Sequence, residues 1–529
     1  MIYKLWFYKS QNLWIEKGDS LMEKDKVAFF AKLFAPVVFG LIIFILPKFW
    51  GVDAPEGCSY NAWIYFSVFM GLILGLILEP IPPAFIGVIA IVIAVVLRLG
   101  PKDSGLVDAK ITAAAALNWG ISGFSNAVVW LIFAAFTIGL GFSKTGLGER
   151  LALYLVSKLG RSTLGLGYAI ALVDLILAPF IPSNAARSGG SVYPVVTSIA
   201  PMFDSHPDKN PRKIGAYLIW VGLASACVSS SIFLTGQAPN PLALTQIEKG
   251  GAQVVDWVSW FLAFLPVGII LFLITPILAY VIYPPEVKGS KEVVTWAKEK
   301  YDALGKITRP QIFMIIIALI GLVLWVGGSF FPKSALYNLN ATTTALLMIV
   351  LMVAAKCITW QDFLGNKPAW NTLVWFATLV AMAGGLNNVG FISWLANLFD
   401  GKFDGVEPIV AIIALILAFS WLRYFFASGT AYVTAVMLIF VTLVQSIPGL
   451  DVNKTLLLLI LPMGFMGIIT PYGTGCSPLW FGAHYIKGPT FFLLGGIFAA
   501  IYMVIYLLVG IPWIDFIMPN LSLHGGAAA

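Results

Sequence analysis

Long apolar runs constrain the fold of this chain more than any other feature of its sequence. They recur from about residue 27 to residue 515 and are separated by short polar loops. An apolar run of about 17 to 25 residues can cross the hydrocarbon core of a bilayer as a helix. Charged residues make up only 11% of the chain, whereas soluble domains are about one quarter charged. The sequence therefore predicts an all-α polytopic membrane protein.

The apolar runs predict eleven transmembrane helices in two halves. The predicted crossings are 27–47, 62–80, 83–99, 123–143, 214–234 and 257–283 in the first half, and 311–331, 338–356, 371–388, 455–470 and 490–515 in the second. Lys and Arg are concentrated in the extension 1–26 and in the loop 284–310. Because basic loops stay in the cytoplasm, we expect a cytoplasmic N-terminus and an external tail over 516–529, in a protein integral to the plasma (inner) membrane.

Two further apolar segments are interrupted by polar, glycine-containing motifs. The motif at 182–190 (PSNAARSGG) divides the segment 164–202, and the motif at 423–431 (RYFFASGTA) divides the segment 407–447. Polar backbone at membrane depth is tolerated only where it is buried in protein or lines a cavity. We therefore predict that both segments are re-entrant helical hairpins.

The basic segment 284–310 divides the membrane region into the halves 27–283 and 311–515. Its apolar residues favour an amphipathic helix on the membrane surface, and a solvated linker is the alternative. When the hairpins are aligned, the crossing 62–80 corresponds to 311–331, and the two run in opposite directions. The sequence thus predicts inverted repeats, which in transporters bind substrate near the bilayer midplane.

Each half also contains a predicted helix break after its hairpin. The segments 234–241 (LTGQAPNP) and 470–478 (TPYGTGCSP) combine Gly, Pro and hydroxyl residues inside apolar runs. Proline lacks an amide donor and clashes with the preceding helical turn, so it interrupts the helix and frees carbonyl groups. Two hairpin tips and two breaks would then meet in one site.

Such a site suits a small dianion. Helix N-termini present unpaired amides and a partial positive charge, so two facing hairpin tips would hold the two carboxylates of one molecule. Tight helix packing by small residues is the alternative explanation of these motifs. The candidate substrate-binding residues are Ser183, Asn184, Ala185, Thr235, Gly236, Pro239, Asn240, Ser428, Gly429, Thr430, Thr474, Gly475, Ser477 and Pro478.

Two arginines lie beside the hairpin motifs. A charge within the membrane is costly and indicates function, so Arg187 and Arg423 are candidates for compensating the charge of an anionic substrate. The alternatives are pairing of Arg187 with Asp174 or snorkelling of either side chain to the interface.

Several other classes of protein fit the sequence less well. The net charge of +7 comes from residues in short loops, which is explained by topology and not by nucleic acid. The four cysteines are scattered and have no CxxC or Cys/His cluster, so we expect no metal site and no cofactor. No His lies near Ser183 in sequence, which argues against an intramembrane hydrolase and for a protein that is not an enzyme. A channel is a further alternative, but inverted halves with broken helices suit alternating access better.

The hairpin motifs resemble those of the divalent anion transporters of the dicarboxylate and citrate type. The signature of that family is a paired Ser-Asn-Thr motif, which Ser183-Asn184-Ala185 and Ser428-Gly429-Thr430 match in part. The likeness extends from about residue 35 to 515 and is greatest to the exchanger branch. It is carried by GLILGLILEPIP (71–82), SGFSNAVVWLIFAAF (122–136), SKTGLGERLAL (143–153), LILAPFIPSNAARSGG (175–190), GLNNVGFISW (385–394) and LRYFFASGTAY (422–432).

The resemblance implies a homodimer in membrane lipid that works by an elevator mechanism. It also implies exchange of di- or tricarboxylates such as succinate, malate, oxoglutarate, tartrate or citrate. Ala185, Gly429 and Pro179 stand where sodium-coupled members tend to carry oxygen ligands, which favours sodium-independent antiport. A sodium-coupled dicarboxylate symporter and a sulfate transporter on the same fold are the alternatives.

Overall fold

The computed structural model describes residues 23–106, 110–289, 291–330, 339–399, 402–403 and 405–526. Residues 1–22 of the predicted cytoplasmic extension and residues 527–529 of the predicted external tail lie outside them. Within the described residues the chain is predominantly helical. Two strands of two residues each, Val254–Val255 and Leu523–His524, pair antiparallel and tie the C-terminal segment to the first half.

The first half contains twelve α-helices among the described residues. Their bounds are Glu23–Ile45, Tyr60–Leu78, Pro83–Val96, Ala113–Ile121, Ala127–Thr145, Leu147–Leu159, Thr163–Leu177, Asn184–Arg187, Tyr193–Ile199, Gly215–Ile232, Pro239–Lys249 and Trp257–Ile282. The basic segment between the halves forms the helix Lys291–Ala303.

The second half repeats this order of elements. Its α-helices are Arg309–Phe330, Ala341–Ala354, Trp360–Leu364, Lys367–Asn388, Phe391–Phe399, Pro408–Leu422, Gly429–Gln445, Val452–Ile460, Ser477–Phe481, Gly488–Ile505 and Ile511–Ile517. In both halves a short amphipathic helix precedes the hairpin segment, and a broken helix follows it.

Nine helices of the described chain are long and apolar enough to cross a membrane. Eight of them coincide with predicted crossings, and the ninth, Pro408–Phe425, is an arm of the second predicted hairpin. Three predicted crossings contain shorter helices, namely Pro83–Val96, Ala341–Ala354 and Val452–Ile460. At a rise of about 1.5 Å per residue, a helix of 14 residues is shorter than the hydrocarbon core. The number of eleven crossings therefore stays a prediction.

The N-terminal helix packs on the next helix through small residues. A Cβ atom on Gly71 would lie 3.0 Å from the carbonyl oxygen of Pro36, and one on Gly40 would lie 3.0 Å from that of Ser67. Small residues allow the close backbone approach that drives helix association in membranes. The opposite face of the N-terminal helix exposes large apolar side chains such as Phe34 and Leu41, as expected of a surface in lipid.

The segment between the halves is helical and is docked on the first half. Val293 and Ala297 are buried where the helix Lys291–Ala303 packs on Leu147–Leu159. The guanidinium of Arg150 donates hydrogen bonds to the carbonyl oxygens of Leu304 and Gly305, both at 3.1 Å. The segment 284–310 thus contains a helix, and its location on the membrane surface stays a prediction.

An ion pair joins the end of the helix Ala127–Thr145 to the helix Trp360–Leu364. Lys144 Nζ lies 2.8 Å from a carboxylate oxygen of Asp362. The hydrogen bond from Lys144, together with those from the backbone and side chain of Thr359, lowers the pKa of Asp362 to about 2. Asp362 is therefore ionised at neutral pH and links the end of the helix Ala127–Thr145 to the short helix Trp360–Leu364.

The broken helices of the two halves cross at Gly464. All eighteen residues of the helix Gly215–Ile232 are buried. A Cβ atom on Gly464 would collide with the backbone nitrogen of Ser231 and would lie 2.6 Å from its Oγ. The same Oγ accepts a hydrogen bond of 3.0 Å from the Phe465 amide. Glycine at 464 is thus what allows the two broken helices to touch ahead of their breaks.

We predict that Gly464→Ala lowers the apparent melting temperature of the detergent-purified protein. The added methyl group would overpack a rigid backbone contact, which typically costs about 1–3 kcal/mol. Gly496→Ala is the matched control, because no atom lies within 4 Å of its added Cβ and alanine favours a helix interior. Equal melting temperatures for the two variants would show that the crossing is not tightly packed.

Candidate substrate site

The predicted tip of the first hairpin is a helix N-terminus that is capped by Ser183. The arm Thr163–Leu177 ends before Pro179 and Pro182, which interrupt helical hydrogen bonding. Ser183 Oγ then accepts a hydrogen bond of 3.2 Å from the Ala186 amide. The helix that starts at Asn184 continues through a π-turn at Ser188–Val192 into Tyr193–Ile199. The sequence thus directs the free amides of a helix start toward the middle of the protein.

The predicted tip of the second hairpin has the same design. The arm Pro408–Leu422 ends in a 3-10 turn at Arg423–Phe425, and Ser428 caps the helix Gly429–Gln445. Ser428 Oγ accepts a hydrogen bond of 3.4 Å from the Ala431 amide and lies 3.1 Å from Thr430 Oγ1. Both predicted motifs therefore form capped helix starts.

Both predicted helix breaks are present as well. In the first half, Phe233 and Gln237 adopt extended backbone conformations on either side of a 3-10 turn. In the second half, Thr470 is extended and a series of turns follows before the helix Ser477–Phe481. Each break places non-helical backbone inside the buried core.

The two tips and the two breaks surround one cavity of about 300 Å³. The predicted site residues that line it are Ser183, Asn184, Ala185, Pro239, Arg423, Ser428, Gly429, Thr430, Thr474 and Gly475. The cavity therefore unites residues from all four predicted motifs, although they are up to about 290 positions apart in sequence.

Six predicted site residues do not line this cavity: Arg187, Thr235, Gly236, Asn240, Ser477 and Pro478. Several of them hold the first break together. Asn240 Nδ2 donates to the carbonyl oxygens of Ser230 at 2.8 Å and Phe233 at 3.1 Å. Thr235 Oγ1 donates to the carbonyl oxygen of Pro179 at 2.7 Å. Their side chains thus satisfy backbone groups that the break and the hairpin tip leave free.

The two halves are joined at the cavity by Asn184 and Thr474. Asn184 Nδ2 donates a hydrogen bond of 2.6 Å to Thr474 Oγ1 and one of 3.4 Å to Ser230 Oγ. A Cβ atom on Gly475 would lie 3.0 Å from Asn184 Oδ1. Asn184 at the first predicted hairpin tip therefore contacts the broken helices of both halves.

Arg187 is completely buried and fully paired. Its Nε lies 3.0 Å from Asp174 Oδ1, and its Nη1 donates to the carbonyl oxygens of Ile181 at 2.8 Å and Gly236 at 2.9 Å. Its Nη2 contacts Ser229 and Ser230, and Ser229 also donates to Asp174. Arg187 thus pairs with Asp174, which was one of the alternatives in the sequence analysis. Its charge is therefore balanced inside the protein.

Arg423 is equally buried but has no acidic partner among the described residues. Its Nε and Nη2 donate to the carbonyl oxygen of Gly473 at 3.0 and 2.6 Å. Its guanidinium carbon lies 5.8 Å from the ring centre of Tyr432. Its Nη1 is buried and has no hydrogen-bond partner within the described chain. The cavity wall therefore carries a cation that has no ion-pair partner among the described residues and has one donor without an acceptor.

The sequence analysis did not single out several cavity residues, of which Glu79, Phe136, Thr372 and Trp375 lie outside the four motifs and the others within them. They are Glu79, Phe136, Pro182, Gln237, Ala238, Thr372, Trp375 and Ala427. Trp375 Nε1 is a second buried donor without a partner in the described part of the chain. Glu79 stands out in the apolar stretch GLILGLILEPIP, and that isolated acid was a signal that could have found it.

A second cavity of about 600 Å³ lies beside the two short strands. Its wall includes Glu248, Asp256, Trp257, Trp325 and His524, but none of the predicted site residues. The smaller cavity is the better candidate for an anion, because helix starts, a cation without an ion-pair partner in the described chain and unpaired donors converge on it.

Comparison with known proteins was made for the whole chain. Residues 27–519 match the family model described as the sodium:sulfate symporter transmembrane region. The chain is 42% identical to the citrate/succinate antiporter of Escherichia coli strain K12 over 489 residues, which cover 91% of this chain and 97% of that protein. It is 39% identical to the L-tartrate/succinate antiporter of the same strain over 489 residues, or 92% and 98% of the two chains.

Solved structures share the fold at low sequence identity. The YdaH transporter of Alcanivorax borkumensis gives a TM-score of 0.51 at 14% identity and covers 82% of this chain and 98% of its own. MtrF of Neisseria gonorrhoeae gives a TM-score of 0.53 at 14% identity, with coverage of 83% and 96%. These likenesses concern the fold alone.

We predict that Arg187→Met strongly lowers the apparent melting temperature in detergent. The substitution would leave Asp174 buried without its cation, and breaking a buried ion pair from one side costs about 3–5 kcal/mol. Arg187→Met combined with Asp174→Asn should recover much of the loss, because no uncompensated charge remains. If the double variant were no more stable than the single one, the ion pair would not be the main role of Arg187.

Proposed function

The chain belongs to the sodium:sulfate symporter family of divalent anion transporters, and from this premise we propose that it exchanges di- or tricarboxylates across the membrane. The resemblance of its hairpin motifs to that family is thereby confirmed. Its similarity to citrate/succinate and L-tartrate/succinate antiporters over more than nine tenths of the chain supports antiport of these acids. The protein acts as a transporter of small organic anions and not as an enzyme.

The observation that carries the proposal is the charge of the cavity. Arg423 contributes one positive charge and has no ion-pair partner within the described chain. The two capped helix starts add about half a positive charge each. Glu79 lines the same cavity and offsets one of these charges. The net charge of about one positive unit still favours an anion, which the unpaired donors of Arg423 and Trp375 would also hydrogen-bond. One carboxylate would lie at Ser183–Ala185 and the other at Ser428–Thr430.

The same arginine supports exchange without sodium. A Cβ atom on Gly429 would lie 2.7 Å from Arg423 Nη2, so the guanidinium occupies the space that a side chain at position 429 would fill. Sodium-coupled relatives tend to carry an oxygen ligand there. A fixed cation in place of that ligand disfavours binding of a second, mobile cation at the same point. Arg423 is thus proposed as the charge-compensating residue, in preference to Arg187.

An elevator mechanism with re-entrant hairpins is part of the proposal. It is supported by the two hairpin segments, whose arms are mostly too short to span a bilayer, and by the matching order of elements in the two halves. Inverted repeats with discontinuous helices are typical of alternating-access transporters. A homodimer in lipid, a cytoplasmic N-terminus and an external C-terminus complete the proposed arrangement.

We predict that purified protein in proteoliposomes takes up radiolabelled succinate only when the vesicles contain unlabelled dicarboxylate. An exchanger needs a substrate on both sides, and no sodium site is proposed. Uptake should therefore be the same when choline replaces external sodium. Sodium-driven uptake into empty vesicles would establish a symporter instead, and current without internal substrate would indicate a channel.

We predict that Arg423→Gln reduces exchange by about 30-fold or more, because losing one partner of a buried charge pair costs about 2–5 kcal/mol. Its melting temperature should fall less than that of Arg187→Met, since no buried acid is left unpaired. Lys144→Gln is the control, because it removes a positive charge of an exposed ion pair far from the cavity wall. Full activity of Arg423→Gln would contradict the assigned role.

A further inference from the structure

One acidic side chain lines the cavity that is proposed to bind dianions. Glu79 and Arg423 are the two charged residues among those that surround it. The carboxylate of Glu79 forms no ion pair or hydrogen bond within the described chain. A negative charge in this place repels every anionic substrate, so its presence calls for an explanation in terms of the substrate.

Glu79 has an unfavourable backbone conformation at the point where it lines the cavity. Glu79 follows the helix Tyr60–Leu78 and adopts the left-handed conformation, with φ of 43° and ψ of 50°. That position at the end of a helix is usually occupied by glycine, because a Cβ atom is crowded there. Pro80 directly follows and stops the helix from continuing. Residues that are held in rare conformations beside a cavity are candidates for function.

A second hydrogen-bond acceptor without a partner lies in the same wall. Gln237 is 2% exposed, and its Nε2 donates to Asn240 Oδ1 at 2.8 Å. The Asn240 amide nitrogen is itself engaged with the carbonyl oxygens of Ser230 and Phe233. Asn240 can therefore offer Gln237 only an oxygen, which fixes the orientation of the Gln237 amide. Gln237 Oε1 is left as a buried acceptor with no partner in the described part of the chain.

Unpaired acceptors need a donor on the ligand. A carboxylate only accepts hydrogen bonds, whereas a hydroxyl group also donates one. Glu79 is exposed and can be hydrated in the empty cavity, whereas Gln237 Oε1 is buried. A fully ionised dicarboxylate that displaces the water from Glu79 offers neither acceptor a donor, and a hydroxylated acid can pair with them. Leaving a buried polar group of the site unpaired is the strongest means of rejecting an analogue that lacks the matching group.

We propose that Glu79 is a specificity-determining residue that accepts a hydrogen bond from the hydroxyl group of a hydroxy-dicarboxylate or hydroxy-tricarboxylate. Gln237 supplies a further acceptor on the same wall. Glu79 lowers the affinity for every dianion by repulsion, and only a substrate with a hydroxyl donor recovers the loss. The cavity therefore prefers a hydroxylated acid to its analogue without the hydroxyl group. This inference rests on the proposed exchange function and specifies its substrate class.

The test compares pairs of acids that differ by one hydroxyl group. Malate and succinate form one pair, and citrate and tricarballylate form the other. Each acid competes with radiolabelled succinate for uptake into succinate-loaded proteoliposomes at about pH 8, where carboxyl groups are ionised and only the hydroxyl group can donate. For the wild-type protein, the hydroxylated acid of each pair should inhibit uptake by half at about one tenth, or less, of the concentration that the acid without the hydroxyl group requires.

Three variants separate the role of Glu79 from general effects on the protein. Glu79→Met keeps the length of the side chain without an acceptor, and it should strongly reduce the preference for the hydroxylated acid of each pair, to what Gln237 alone supports. Glu79→Gln keeps an acceptor without the charge. Succinate should therefore inhibit this variant at a lower concentration than the wild type, and the difference between malate and succinate should become smaller. Glu56→Gln removes an exposed acid from the segment before the same helix and should behave as the wild type.

Ligand-induced shifts of the melting temperature in detergent give the same comparison without transport, including for a variant that reconstitutes poorly. Equal inhibition by both acids of each pair in the wild type, or an unchanged preference in Glu79→Met, would overturn the inference while leaving exchange intact. Absence of exchange in the wild type would overturn the proposed function, and the inference would fall with it.

Discussion

The structure depends on how the backbone groups released at the two helix breaks are satisfied within the membrane core. Unpaired peptide groups there cost several kcal/mol each. Asn240 caps the carbonyl oxygens of Ser230 and Phe233, Arg187 donates to Gly236, and Arg423 donates to Gly473. Because side chains satisfy these groups, the breaks persist as rigid features, and polar backbone can surround a cavity between them.

The two halves use an arginine in the same way but balance its charge differently. Arg187 and Asp174 form a buried ion pair in the first half. In the second hairpin segment, 407–447, the one acidic residue is Glu407, the first residue of the segment. Arg423 instead lies beside the aromatic ring of Tyr432. The arginine of the first half is thus neutralised by an ion pair, and the arginine of the second half lines the cavity without an ion-pair partner in the described chain. A cation without an ion-pair partner is what the proposed binding of a dianion requires.

The proline and glycine motifs were sufficient to predict the helix interruptions before Ser183 and Ser428 and the two later breaks, because helix interruption is a local property of the sequence. Re-entrant hairpins stay a prediction. The short helices Ala113–Ile121 and Phe391–Phe399 were missed, since they are too short for a membrane-length window. The pairing of Arg187 with Asp174 was foreseen as an alternative, but sequence could not decide between the arginines. Glu79 and Trp375 reach the cavity only through tertiary packing, which spacing does not report, whereas Gln237 lies within the predicted break and was not singled out.

The central claim is that both hairpin tips and Arg423 bind one dianion between them. The most direct measurement is a cryo-electron microscopy map of the protein in lipid nanodiscs, with succinate and without sodium. The account predicts density for one succinate, with a carboxylate at each of Ser183–Ala185 and Ser428–Thr430 and the second within hydrogen-bond distance of Arg423 Nη1. Succinate bound elsewhere, or bound at one tip without contact to Arg423, would contradict it.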